Sequence, residues 1–278
     1  MNKWLLGARL RTLPAAIAPV LVAVAIALPE FNLLNALLCL IVGLSLQIAV
    51  NFANDYSDGI KGTDEDRIGP TRLVAGGLAS ADEVKKAALT FFAIGALTGY
   101  FLATRTSYWF IAIGAAAIIS AWRYTGGKNP YGYRGLGEIY VFIFFGLVAT
   151  LGTFYSQTGT ISIAAIMAAI SNGAVSCALL AVNNIRDIEG DTRAGKRTLA
   201  VRLGDTRARR FYMFLIFVAI FTGFTVTIFA ALAIFPAMRL LNQIQFKKGK
   251  ELIEVLGATG KFQLILAALL SVGTLVMN

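Results

Sequence analysis

Long apolar runs separated by short polar connections fill most of this 278-residue chain. They recur near residues 13–29, 33–53, 87–104, 107–122, 137–156, 160–182, 211–238 and 259–277. An α-helix needs about 20 residues to cross roughly 30 Å of hydrocarbon, and most of these runs reach or approach that length. Their Gly and Ala content suits close approach of helices in lipid. The pattern predicts an all-α, polytopic membrane protein, residues 1–278 forming one domain around a central cavity. Ser80-Ala-Asp-Glu83 matches a capping box and predicts a helix start just after the first polar loop.

The run at 211–238 fits either one long span or a hairpin broken near Thr222–Thr227, and charge decides between them. Lys and Arg stay cytoplasmic in short loops. A hairpin gives nine spans and puts the N-terminus and the loops at 54–86, 123–138, 184–210 and 239–261 on one side. That side then holds every Lys and Arg except Arg105, 24 of the 25. The hairpin is therefore the expectation, with both helices extending beyond the run.

Composition agrees: 57% of residues are hydrophobic, 14% charged, and the mean hydropathy is +0.71. The net charge of +10 follows from the positive-inside bias and calls for no nucleic acid. Lys3, Arg9 and Arg11 ahead of the first run resemble the opening of a signal peptide, but the later spans make it an uncleaved anchor. Cys39 and Cys177 sit inside apolar runs and read as small core residues. There is no histidine, which excludes Ser-His and Cys-His nucleophilic chemistry.

Two acidic stripes break the apolar pattern, each at the end of a run. On a helix, Asn51, Asn54, Asp55 and Asp58 share about 100° of arc, and Asn183, Asp187 and Asp191 recur at i, i+4 and i+8. Carboxylates at the mouth of a membrane helix are costly and usually functional, so the two stripes are candidate faces of one cation site. Cations cluster beside them: Lys61, Arg67 and Arg72 after the first, Arg193, Lys196, Arg197 and Arg202 after the second. A metal-bound phosphate ester needs both kinds of group. Between the stripes lies Tyr124-Thr-Gly-Gly-Lys128-Asn-Pro-Tyr-Gly-Tyr133-Arg134-Gly-Leu-Gly-Glu138, from which Tyr124, Lys128 and Arg134 are expected to face the same cavity.

These motifs resemble the two aspartate-rich motifs of the UbiA superfamily of intramembrane prenyltransferases. Arg11–Val20, Tyr131–Glu138 and Gly190–Gly204 are similar to its dihydroxynaphthoate polyprenyltransferases, which act in menaquinone biosynthesis. The resemblance implies nine helices around a lipid-facing cavity in the bacterial cytoplasmic membrane, with Mg²⁺ and a polyprenyl diphosphate at the cytoplasmic mouth. It implies Asp55 and Asp58, Asp187 and Asp191 as metal ligands. The superfamily's third aspartate position is Gly62 here, which leaves Asp64 as a poorly matching substitute. Asn51, Asn54, Lys61, Arg67, Arg72, Tyr124, Asn183, Lys196 and Arg197 would bind substrate. Asp58, Asp191, Lys128 and Arg134 would act in catalysis, Arg134 gripping the carboxylate of 1,4-dihydroxy-2-naphthoate. That acceptor would be prenylated with loss of CO₂. Two alternatives use the same residues: prenylation of another acceptor such as 4-hydroxybenzoate, and transport through a cation site. Transport requires polar groups continuing to the far face, where the sequence offers only Glu30 and Arg105.

Overall fold

The computed structural model of the chain describes residues 2–63 and 69–277, and every regular element among them is helical. The nine expected segments are all helices. Seven are long and apolar enough to cross a membrane: α3 (Leu33–Ile60), α4 (Ala81–Arg105), α6 (Gly137–Thr158), α7 (Ile163–Arg186), α10 (Asp205–Val226), α11 (Ile228–Phe246) and α12 (Gly249–Met277). An eighth candidate is bent by 49° between Lys3–Thr12, which contains α1 (Lys3–Ala8), and α2 (Pro14–Ile26). The ninth segment, α5 (Trp109–Arg123), is apolar but only 15 residues long. The count of nine is thus approximate. Two short helices, α8 (Ile188–Arg193) and α9 (Leu199–Leu203), lie in the loop after α7.

Local chemistry explains where these helices start and stop. Ser80 Oγ accepts from Glu83 N, and Glu83 Oε2 accepts from Ser80 N, closing the predicted capping box of α4. Pro14 opens α2, where its missing N–H costs no helical bond. Gly62 takes a left-handed φ of +69° after α3, a backbone state that ends helices and favours glycine. The expected hairpin is present: α10 and α11 are separated at Thr227, whose backbone is extended.

Helix α7 is the centre of the bundle. Two-thirds of its apolar window (67%) is buried, against 28–44% for the other spanning helices. Its Ala-rich face packs with α2, α10 and α12 in the largest core cluster, around Val175, Val182, Tyr212, Ile216 and Phe262. Helix α6 reaches it through a glycine pair: a Cβ on Gly146 would stand 2.5 Å from Gly173 Cα. Residues Phe142–Val148 of α6 are wound as a π-helix, a rare form found frequently at functional sites.

Candidate active site at the mouth of an apolar cavity

The first stripe occupies the last three turns of α3 and is almost wholly buried. Asn51 Nδ2 donates to Ala8 O (3.0 Å) and Thr12 Oγ1 (3.1 Å), tying α3 to the N-terminal bend. Asn54 Oδ1 accepts from Thr125 Oγ1 at 2.9 Å. The Asp55 carboxylate accepts from Leu73 N (2.9 Å) and Val74 N (3.0 Å), which fixes the far limb of the first loop. Asp58 faces the cavity.

The second stripe does not stay on one straight helix. Helix α7 ends at Arg186, Asp187 leaves the helical conformation, and α8 carries Asp191. The turn survives through Asp191 N donating to Asp187 O at 2.8 Å. Buried Arg186 grips Asp187 with two N–H groups, at 2.7 and 2.6 Å, and reaches Asn183 Oδ1 at 2.7 Å. Such forked bonds are strong and fix orientation.

Lys196 brings the two stripes together. Its ammonium lies 3.3 Å from Asp58 Oδ2 and 3.9 Å from Asp191 Oδ1. Tyr133 donates from its hydroxyl to Asp58 Oδ1 at 2.6 Å. The Tyr133 ring has Lys196 at 4.9 Å and Lys61 at 5.0 Å from its centroid, within reach of cation–π attraction. Lys61 also donates to Thr125 O (2.5 Å) and Gly127 O (3.1 Å). Burial, the largest effect, holds the Lys61 ammonium below the usual lysine range; Asp58 opposes this and Lys196 adds to it. Tyr124 is pushed well above the ordinary phenol range, first by burial and then by the charge of Glu138, so its hydroxyl keeps its proton.

These groups form one end of a cavity of about 1340 Å³. Its polar end is lined by Asp55, Asp58, Asp187 and Asp191 together with Arg9, Arg11, Arg72, Arg186, Arg193 and Lys196. Tyr124, Tyr131, Tyr140 and Phe144 form a run of aromatic contacts along one wall, with Tyr131 and Tyr140 stacked at 3.8 Å. Beyond them the lining turns apolar and reaches Cys39, Phe110 and Tyr155. From Asp58 back to Cys39 along α3 the rise is about 28 Å at 1.5 Å per residue, close to a hydrocarbon thickness. The volume exceeds the usual range of small-molecule pockets, about 300–1,000 Å³, and suits a long apolar chain with a charged head.

Several expectations need correction. Lys128 and Arg134 are exposed and do not line the cavity. Lys128 sits on a Gly-rich turn, and Arg134, the last residue of the 3₁₀ turn Tyr131–Arg134, is exposed where its neighbour Tyr133 lines the cavity. Arg197 is exposed too, and its backbone N–H donates to Tyr133 O at 2.8 Å. Lys61 serves backbone carbonyls and the Tyr133 ring at the rim. Asp64 and Arg67 lie outside the described residues. Asn51, Asn54, Arg72, Tyr124, Asn183 and Lys196 all line the cavity. The sequence reading missed Tyr133 and Arg186. Both were legible in part: Tyr133 lies in the singled-out turn, and Arg186 is a cation inside the second acidic stripe.

Comparison with known proteins gives the same answer from a separate direction. The model of the UbiA prenyltransferase family matches residues 16–254. The chain is 47% identical to the 1,4-dihydroxy-2-naphthoate octaprenyltransferase of Mycobacterium tuberculosis, over 95% of this chain and 94% of that one. It is 41% identical to the protein of the same description from Escherichia coli, over 75% and 71% of the two chains. Its fold is similar to that of a UbiA homologue from Archaeoglobus fulgidus bound to GPP and Mg²⁺, with a TM-score of 0.73 and 16% identity over 99% and 100% of the chains. By its sequence and by its helical fold, this multi-pass membrane protein belongs to the UbiA prenyltransferase family.

Proposed function

We propose that residues 1–278 act as one domain that transfers a polyprenyl group from polyprenyl diphosphate to 1,4-dihydroxy-2-naphthoate, releasing diphosphate and CO₂ and giving demethylmenaquinol. The observation that carries this is the meeting of two acidic stripes and several cations at the mouth of a long apolar cavity. The naphthoate octaprenyltransferases at 41–48% identity support the choice of acceptor. The uneven distribution of Lys and Arg supports a site on the cytoplasmic side of the bacterial cell membrane.

Mg²⁺ fits the donor set. The candidate ligands are all carboxylates, and no three acidic, His or Cys groups converge among the described residues. One or two carboxylates per ion, completed by substrate phosphate oxygens, is how Mg²⁺ usually binds. Asp58 and Asp191 are the first candidates to hold it, with Asp55 and Asp187 behind them. When bound, Mg²⁺ would draw charge from the departing diphosphate.

The protein's own groups supply the rest. Arg72, Arg193 and Lys196 balance the negative charge that grows as the allylic C–O bond breaks. The apolar wall keeps water from the allylic cation. The electron-rich ring attacks that cation at its carboxyl-bearing carbon. The new C–C bond forms, the carboxylate leaves as CO₂, and the electrons of the broken C–C bond restore the aromatic ring. Arg9 lines the cavity and takes the acceptor-gripping role once given to Arg134. None of these steps needs a histidine.

The test is a product assay with acceptor labelled at its carboxyl carbon. Label should leave one-for-one with diphosphate, and transfer should stop in excess EDTA. Label retained in the prenylated product would exclude this acceptor chemistry, and 4-hydroxybenzoate offered in competition would then be the next acceptor to score.

A further inference from the structure

Lys196 touches the same two carboxylates that a cation joining the stripes would need. Its side chain is 8% exposed, and its ammonium sits between Asp58 and Asp191 at 3.3 and 3.9 Å. The Tyr133 ring supports it at 4.9 Å. Its backbone is separately fixed: Lys196 N donates to Asp191 O, and the next residue, Arg197, donates from its N to Tyr133 O, both at 2.8 Å. The lysine stem can therefore swing by rotamer change alone, without moving the loop. Asp58 would keep its orientation meanwhile, because Tyr133 still donates to its other oxygen at 2.6 Å.

We propose that Lys196 is an internal cation that holds the two acidic stripes together at rest and yields them to the metal only when a diphosphate arrives to take its ammonium. This rests on the Mg²⁺–diphosphate site described above. Two positive charges cannot share one carboxylate pair without strong repulsion at such distances. A metal ion alone must expel the ammonium from both carboxylates and offers it no anion in return. A metal entering with diphosphate offers the ammonium new anionic oxygens, to which it moves as a donor. Metal and diphosphate therefore bind with positive coupling, and by linkage each tightens the other equally. The consequence for catalysis is ordered loading: the site does not fill with metal while the substrate is absent.

The test is a titration of the purified full chain with Mn²⁺, protein-bound ion being counted by equilibrium dialysis against buffer of the same free Mn²⁺ concentration, with and without inorganic pyrophosphate. The intact protein should bind Mn²⁺ weakly alone and at least about tenfold more tightly with pyrophosphate, a modest share of the charge–charge energy at these distances. Lys196→Met should bind Mn²⁺ alone about tenfold more tightly than the intact protein, with a smaller gain from pyrophosphate than the intact protein shows. Equal or weaker binding of Mn²⁺ alone by Lys196→Met overturns the proposal. Should that variant fail to fold, the intact protein decides by itself, since equal Mn²⁺ affinity with and without pyrophosphate is also fatal to the idea. A third pattern, no Mn²⁺ binding by the intact protein under either condition, overturns the metal site itself and this proposal with it.

Discussion

Four aspartates that look alike in the sequence have different tasks in the structure. Asp58 and Asp191 share Lys196 and face the cavity. Asp58→Asn and Asp191→Asn should therefore each lower turnover by about two to three orders of magnitude, the scale of losing one electrostatic stabiliser. Asp55 differs, because its carboxylate carries the N–H groups of Leu73 and Val74. Asp55→Asn turns one acceptor into a donor facing a buried N–H, costing about 1–3 kcal/mol, so the melting temperature should fall along with activity. Lys128→Ala and Arg134→Ala, at exposed positions, should change kcat/KM less than about threefold. A tenfold loss in either would restore that residue to the site. The sequence showed which residues were out of place, since Asn and Asp at the end of an apolar run are conspicuous. It could not show direction. Tyr133 and Arg134 are neighbours of similar promise, yet Tyr133 lines the cavity and Arg134 is exposed. Gly62 is the converse case: its φ of +69° is a backbone state that glycine adopts without strain.

At the scale of elements, the helices were legible because apolar run length and the positive-inside bias are strong signals. The break at Thr227 confirmed the hairpin that charge alone had demanded. The π-wound segment of α6 was not legible, since no residue pattern distinguishes it from the α-helix around it. Its position follows from contact: Gly146 meets Gly173 of α7 backbone to backbone, and lining residues such as Phe144 lie within the same segment. Gly146→Val should lower stability by about 1–3 kcal/mol through overpacking, read as a fall in melting temperature with loss of activity. Gly152→Ala, two turns on in the same helix, is the control. A Cβ there meets nothing within 4 Å, and Ala suits a helix interior better than Gly, so its melting temperature should not fall below that of the unaltered protein. Equal falls in the two variants would mean that the glycine contact does not fix α6 against α7.

At the scale of the whole molecule, the arrangement requires that both acidic stripes open to the same side of the membrane. Helix α5 is the weakest link in that topology. Its 15 residues rise only about 22 Å, short of the roughly 30 Å of hydrocarbon. It carries Arg123 at one end and follows exposed Tyr108 at the other. Single cysteines introduced at Lys128, Thr192 and Tyr108, all exposed positions, can be labelled in intact cells by a membrane-impermeant thiol reagent. Ser57 would be a poor choice, being 2% exposed. Cys39 and Cys177 are buried, so background labelling should be low. Tyr108→Cys should label from outside, whereas Lys128→Cys and Thr192→Cys should label only after the cells are opened. Opposite sides for 128 and 192 would part the turn that Lys61 and Thr125 tie to the first stripe from the second stripe and end the shared-site mechanism. Tyr108 and Lys128 on one side would mean that α5 dips into the membrane and returns, leaving an even number of crossings and putting the Lys and Arg residues after α5 on the opposite side from those before α4. The distribution of charge argues against that outcome, because 24 of the 25 Lys and Arg residues fall on one side only if α5 crosses.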